Sequence, residues 1–431
     1  MGDSMQSAPG LVRSTRRRTP GLFWLLAVAG IALRLYVSQL GFNDDLHEWQ
    51  IVADLSLKGN NVFASTDRFS YGPAWLVMLH GLAWVQLKLN LAPANLNALH
   101  ANIAGFLSLV DIAVAWCLFQ RGGMLAAVFF VLNPVLILLT GYHSQVDTLA
   151  VFWMLLAWML IEPATHRASE ISWWRVWGSA ALVAASLATK HVMLFFPLWL
   201  FFAPSVIPDR RKRLVSAAAA WGLFLLSFVP FAFAPGAIKG MWEHVFSYTG
   251  LPSHRTLIGH LLELITPTQT FERLLPGSTV KIEKGLFIAC MCGLGWRLGR
   301  DRPGELFERY LLAMMSCLVS AAPQYLAIPL AACAMMWRRW PTWIYAFTAT
   351  AFLLVSPWNI SNLYITAAPW VMTLYKEFAF WHVQIWTAIL LLSGWIIVKT
   401  PHDPHTQPAD AGGTVPDGAG VRGGAGGEAV I

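Results

Sequence analysis

From Gly21 onward the chain reads as apolar runs separated by short polar breaks. The runs cover Gly21 to about Leu40, then 97–119, 123–140, 147–162, 176–190, 192–206, 214–234, 284–299, 307–320, 324–337, 341–357 and 380–398. A full span needs roughly 20 apolar residues, so the shorter runs are expected to be tilted, broken or buried by their neighbours. The pattern predicts an all-α polytopic membrane protein with about 12 transmembrane helices. No small-residue cleavage site follows the first run, and Arg34-Leu35-Tyr36 continues its helix, so it reads as an uncleaved first span. Arg34 itself is expected to pair with an acid.

The basic residues set the orientation. With the N-terminus inside, the inner breaks hold Arg13 to Arg18, Arg121, Arg167 with Arg175, the Asp209-Arg210-Arg211-Lys212-Arg213 run, Arg297 with Arg300 and Arg302, Arg338-Arg339, and Lys399. Each inner break is basic, as the positive-inside rule requires, and the opposite orientation fails. The outer segments are then 41–95, 235–283 and 358–379. The apolar stretch 73–90, starting Pro73-Ala74-Trp75, would invert this order through Lys190 if it spanned. It is therefore read as a helix lying on or dipping into the outer face. The expected organisation is a basic cytoplasmic N-terminus (1–20), a transmembrane unit (21–400) and a disordered cytoplasmic tail (401–431) rich in Gly, Ala, Pro and Asp.

Composition narrows the class. Of 431 residues, 56% are hydrophobic and 12% charged, about half the charge of an ordinary soluble domain. The net charge of +7 comes from short clusters between apolar runs, a pattern that fits cytoplasmic loops better than a phosphate-binding face for nucleic acid. The five cysteines (Cys117, Cys290, Cys292, Cys317, Cys333) all fall in apolar stretches without zinc-ligand spacing and read as small buried hydrophobes. No cofactor and no obligate metal is expected.

Four polar breaks fall on the predicted outer side. The first, Gly41-Phe42-Asn43-Asp44-Asp45-Leu46-His47-Glu48-Trp49, places three carboxylates and a histidine just after a span. A carboxylate at that boundary can take a proton from a hydroxyl nucleophile, although a plain solvated loop has the same composition. The segment continues to Tyr71-Gly72-Pro73, which breaks the chain and starts a helix with Pro in its first turn. The second break follows Asn133-Pro134 and carries Tyr142, His143, Ser144, Gln145 and Asp147. Polar groups at a membrane edge either line a wet cavity or pair with one another. The third is Lys190-His191, either a snorkelling lysine or a counter-charge for a phosphate. The fourth is Ala322-Pro323-Gln324-Tyr325.

The order of these breaks resembles the GT-C superfamily of polyprenyl-phosphate-sugar-dependent glycosyltransferases. It is most similar to bacterial polyprenyl-phosphate-mannose-dependent mannosyltransferases and to the mannosyl- and glucosyltransferases of lipid-linked oligosaccharide and GPI-anchor assembly. The likeness covers about residues 20–400 through short, degenerate motifs. It implies a GT-C-like helical bundle with a helical first extracytoplasmic loop, and an acid at Asp44 or Asp45. Tyr71-Gly72-Pro73 corresponds to the family's Tyr-Pro-Pro-like element. His143, Gln145 and Asp147 fall on its His-x-Gln-x-Asn-like element, with Asp147 in place of the usual amide, and Lys190 matches a lysine of the following span. Gln324 and Tyr325 join the implied substrate-binding group. The implied reaction moves a sugar, mannose by default, from a polyprenyl phosphate to a hydroxyl of a glycan, glycolipid or protein. Asp44 or Asp45 would remove the hydroxyl proton, and Lys190, His191 and Arg255 would steady the departing phosphate. The second outer segment, with Tyr248, His254, Arg255, His260, Glu263 and Arg273, is a candidate cover over either substrate. The composition of the tail and the lack of an eukaryotic retention signal point to a bacterial inner membrane, with the site on its extracytoplasmic face. A transporter or lipid flippase, and a non-catalytic assembly subunit, are the competing readings.

The orientation has a direct test. In a cysteine-free background, Lys58→Cys should react with an impermeant maleimide added outside intact cells, and Arg211→Cys only after permeabilisation. The reverse labelling would overturn the assigned sidedness.

Overall fold

A computed structural model describes residues 20–89, 95–162, 171–247, 278–301, 303–317, 322–355, 362–363, 389, 392 and 394. The described chain is mostly helical. Among the described residues, three helices are long and apolar enough to cross a membrane: Pro20–Ser38, Leu96–Gly122 and Arg210–Phe231. Met124–Val131 and Pro134–Tyr142, bent by 44° at the Asn133-Pro134 break, make a fourth if they count as one span. Other apolar runs fold as shorter helices, among them Asp147–Ile161, His191–Phe201 and Pro323–Met335.

The first helix, α1 (Pro20–Ser38), buries a stripe made of Phe23, Ala27, Gly30, Arg34 and Ser38. Their spacing of three and four residues puts them on one face. The opposite face exposes Leu22, Trp24, Leu25, Val28, Leu33 and Tyr36. An apolar outside around a stripe that includes an arginine is the reverse of a water-soluble helix, and it suits a lipid surroundings.

That arginine makes the main tie of the fold. Arg34 Nε donates to Asp111 Oδ2 at 2.8 Å, and both side chains are fully buried. Asp111 lies midway along α5 (Leu96–Gly122), a helix capped by the Asn95 side chain on Ala98 N–H. Arg34 also donates to the carbonyls of Gly30 and Val131, at 3.0 and 2.9 Å. Thr140 Oγ1 donates to the same Asp111 oxygen at 2.7 Å. The expected acidic partner of Arg34 is thus Asp111. Gly141 makes the close approach possible, since a Cβ there would stand 2.6 Å from the Arg34 carbonyl oxygen.

Between α1 and α5 lie β1 (Gly41–Phe42), α2 (Asp45–Leu57), α3 (Val62–Ser65) and α4 (Pro73–Lys88). β1 pairs antiparallel with β2 (Asn362–Leu363), which joins the first and third predicted outer segments. α4 has 16 residues, roughly 24 Å at 1.5 Å per residue, short of a bilayer's hydrocarbon core of about 30 Å. It buries Trp75, Leu76, Leu79, Ala83 and Gln86 and exposes Val77, Trp84, Val85 and Leu87.

At the other end of α5, Arg121 bridges Glu162, at the end of α8 (Asp147–Ile161), and Glu308, 3.1 Å away. The central helix is therefore tied by charge at its middle and at its C-terminal end. The cysteines need a correction. Cys117, Cys317 and Cys333 are buried, but Cys292 is half-buried and Cys290 exposed. Cys290 shares an outward face of Ser278–Asp301 with Ile282 and Leu286, so an apolar stretch here does not mean burial within the protein.

Removing one partner of a buried ion pair strands the other. Arg34→Met or Asp111→Leu alone should cost about 3–5 kcal/mol, and the double variant clearly less than the sum. Thermal unfolding in nanodiscs measures this, and additive losses would mean that the pair does not couple.

Candidate active site

The first acidic segment resolves by helix register. Asp44 is the N-cap of α2, in helical backbone (φ −63°, ψ −22°) and without a side-chain cap bond, and its side chain is exposed. Asp45 comes one residue later, turned about 100° around the helix axis, and faces inward. Its Oδ2 accepts from Asn43 Nδ2 at 3.0 Å and from Gln145 Nε2. Asn43 Nδ2 also meets His143 Nδ1 at 3.1 Å. One amide group therefore spans the carboxylate and the imidazole, which sets the His143 Nδ1 as the acceptor.

His143 and Gln145 come from an irregular turn. Asn133 caps the short helix α7 (Pro134–Ile137) through Val135 N–H at 3.1 Å. A π-helical turn, Leu138–Tyr142, follows, a feature that often re-aims side chains at functional sites. Ser144 then adopts φ 54°, the left-handed region, before α8 starts at Asp147. His143, Ser144, Gln145 and Asp147 are all buried. Asn43 Oδ1 and the hydroxyls of Ser144 and Thr148 are buried without a hydrogen-bond partner among the described residues. Each such atom costs about 1–3 kcal/mol, so three around one turn mark it as a place built for polar contact rather than for stability.

The lysine arrives from a third element. α9 (Trp173–Thr189) ends at Lys190, which is extended (φ −153°, ψ 126°). Its Nζ lies 2.8 Å from both carboxylate oxygens of Asp147. The ammonium also sits 4.5 Å from the Tyr325 ring centre and 5.2 Å from that of Tyr71. Two aromatic faces thus flank the ion pair. Tyr71 is held by Gln145, whose Oε1 accepts the phenol at 3.4 Å, and by a T-shaped contact with Trp49 at 4.7 Å. Gly72 sets this geometry, since its Cβ would stand 2.1 Å from the Ala188 carbonyl oxygen. Pro73 then opens α4, as its position in the sequence predicts.

Asp45, Tyr71, His143, Gln145, Asp147, Lys190 and Tyr325 are therefore brought together. Asp44 is turned away from them. His191 begins a 3₁₀ turn beside Lys190, with its Nδ1 buried and unpartnered among the described residues. Gln324 is half-buried on the turn that carries Tyr325. Arg255 and the other candidates between Tyr248 and Arg273 lie outside the described residues. The expectation for Lys190 changes in kind. Its charge is already neutralised by Asp147, so it offers N–H groups rather than a spare cation. Asp147, out of pattern in the resemblance, has that pairing as its role. Two residues outside the expected set join the site. Asn43 is invisible in sequence because asparagine is common in turns. Glu48 lies on the inward side of α2, one turn after Asp45, and accepts from the exposed Arg68 at 3.3 Å.

Burial lifts the Asp45 carboxyl above its ordinary value, helped by the charge of Asp44 and opposed by Asn43, Lys190 and Gln145. Burial, with the neighbouring charge of Asp45, pushes Glu48 up to about 7 against the pull of Arg68. Among the described residues no group of three or more His, Cys, Asp or Glu is placed to hold a metal ion. The arrangement offers a proton acceptor fixed by neutral donors, beside a closed ion pair and unpartnered polar atoms. Compared with known proteins, the chain matches no family model and no curated protein.

Glu48 predicts a pH signature. Its folded proton affinity exceeds the ordinary value of 4.5, so the folded state binds more protons and stability falls as pH rises from about 4.5 to about 7. Glu48→Gln should flatten thermal stability across that window and raise it at neutral pH. An unchanged slope would show that Glu48 is not held in its neutral form.

Proposed function

We propose that the chain is a membrane-embedded inverting glycosyltransferase. It moves a sugar from a polyprenyl phosphate to a hydroxyl acceptor on the extracytoplasmic face. The observation that supports this most is Asp45, a half-buried carboxylate fixed by Asn43 and Gln145 at the start of the first predicted outer segment. A base needs raised proton affinity and a fixed lone pair, and burial among neutral donors supplies both. The acceptor oxygen attacks the anomeric carbon while its proton passes to Asp45. The bond from that carbon to the phosphate oxygen breaks, and its electron pair leaves with the lipid phosphate. A single displacement inverts the anomeric centre. The N–H groups of Lys190 and the exposed guanidinium of Arg68 are candidate donors to the phosphate, with His191 and Arg255 as further ones. The unpartnered hydroxyls of Ser144 and Thr148 suit sugar hydroxyls.

The reading includes a bundle of about 12 spans, a bacterial inner membrane and mannose as the default sugar. Transport or a purely structural role competes with it, and both predict that Asp45 can lose its charge without loss of a chemical activity. In nanodiscs supplied with polyprenyl-phosphate-mannose and mannosyl acceptors, Asp45→Asn should lower transfer by roughly a hundred- to ten-thousand-fold. Asp44→Asn should stay within a few-fold of the native chain, and the product should carry inverted stereochemistry. Full activity in folded Asp45→Asn would remove the base from this position.

A further inference from the structure

A cavity of about 350 Å³ opens between the far end of α2 and the first half of α4, beside the 3₁₀ turn Val229–Phe231. Its size lies at the lower end of the roughly 300–1,000 Å³ typical of small-molecule sites. It is separate from the Asp45 cluster. Ser56 follows Asp45 by eleven residues of helix, which at about 1.5 Å each is roughly 16 Å. His80 stands seven residues into α4 from Pro73, roughly 10 Å at about 1.5 Å each. Both helices start at the site and run side by side to the cavity.

The lining is chemically specific. None of the side chains around the cavity carries a fixed charge, so a phosphate or another ion finds no counter-charge. Its polar members are Ser56, Asn60, Asn61 and His80, and its apolar wall includes Leu76 and Phe231. Ser56 donates its hydroxyl to the Ala53 carbonyl at 2.8 Å. The 3.3 Å contact with His80 Nδ1 therefore has the imidazole as donor, which leaves Nε2 as an acceptor. Asn61 fixes the wall, donating to the Phe231 carbonyl at 2.7 Å and accepting from Ala64 N–H. Asn60 is exposed at the rim and offers both an amide donor and an amide acceptor. Neutral amides and an imidazole acceptor opposite an aromatic and aliphatic wall match a sugar ring, which has hydroxyls at its edge and C–H bonds on its face. An acyl chain would leave these polar groups without partners, at a cost.

We propose that this cavity is a neutral-carbohydrate subsite, holding a ring of the acceptor glycan a few sugar units from the hydroxyl that faces Asp45. The acceptor role rests on the glycosyltransferase reading, whereas binding of a neutral glycan does not. The site would make transfer depend on acceptor length. Short acceptors reach Asp45 alone, and longer ones gain the remote contacts.

The test has two readouts on the full chain in nanodiscs. Saturation-transfer NMR with mannotriose, maltotriose and methyl mannoside reports binding directly. Steady-state transfer with short and long mannosyl acceptors reports its use. Asn60→Ala and His80→Phe should each weaken trisaccharide binding by about fivefold, the worth of one net hydrogen bond. They should raise KM for the long acceptor and leave the methyl mannoside unaffected. Asp45→Asn should abolish transfer and retain binding. Binding that depends on Asn60 and His80 without any transfer would uphold the subsite and sink the reaction. Transfer with no trisaccharide signal, or with a signal indifferent to both variants, would overturn the subsite and leave the reaction standing. Signals only from the nanodisc lipids would also overturn it, assigning the cavity to an acyl chain.

Discussion

A charge placed inside an apolar interior must be paired there, and Arg34 is where this chain meets that constraint. The guanidinium reaches Asp111 on α5 and carbonyls at Gly30 and Val131, while Thr140 completes the same Asp111 oxygen. Those contacts clamp α1 to α5 and to the bent segment around Asn133. The chain leaves α1 a few residues before Asn43 and Asp45. It leaves the bent segment just before His143 and Gln145. One buried ion pair thus helps to hold the two halves of the site together, across which Gln145 reaches Asp45 and Asn43 meets His143. Breaking a buried pair costs far more than a surface bridge, because the surviving charge has no solvent to turn to.

The same constraint explains the division of labour between the carboxylates. Asp45 and Asp147 are served by one buried cation, Lys190. Lys190 lies against both oxygens of Asp147, which leaves Asp45 with neutral donors from Asn43 and Gln145. A half-buried carboxylate opposed by neutral donors binds a proton more readily than one facing an ammonium. The two acids, similar in sequence, are thereby made different in kind. Tyr71 and Tyr325 flank the ammonium and keep it on Asp147.

Much of this was legible in the residues, and the remainder was hidden for identifiable reasons. Asn133-Pro134 announces a break because proline cannot continue the helix ladder, and the structure bends there by 44°. Gly72-Pro73 announces a helix start, and α4 begins at Pro73. The polar cluster at 143–147 was visible because such groups are expensive in an apolar chain. The choice between Asp44 and Asp45 was not, since it turns on which of two adjacent residues is the N-cap. Nor was the partner of Lys190, because 43 residues separate it from Asp147 and no local pattern spans that distance. Cys290 misled for another reason. In a membrane chain, hydrophobic neighbours mean burial in protein or in lipid, and sequence alone does not separate the two. The count of spans suffers similarly, because helices such as Asp147–Ile161 are shorter than a bilayer-crossing segment.

One question of energetics ties these features together: how two acids, Asp147 buried and Asp45 half-buried, share a site with one buried base. Three helices begin there, α2 at Asp45, α4 just after Tyr71 and α8 at Asp147. Each N-terminus presents unpaired N–H groups and about half a positive charge. Asp45 and Asp147 are both first residues of their helices, the position where a carboxylate gains most from the dipole. The converging helix ends thus add to the Lys190 ammonium and the amides of Asn43 and Gln145 that hold the two carboxylates directly. Under the proposed reaction the same arrangement has a second use. When the acceptor proton reaches Asp45, one negative charge disappears from the site as another grows on the leaving phosphate. Total charge is then conserved among the converging helix ends, and the departing phosphate inherits a field that had been directed at the base.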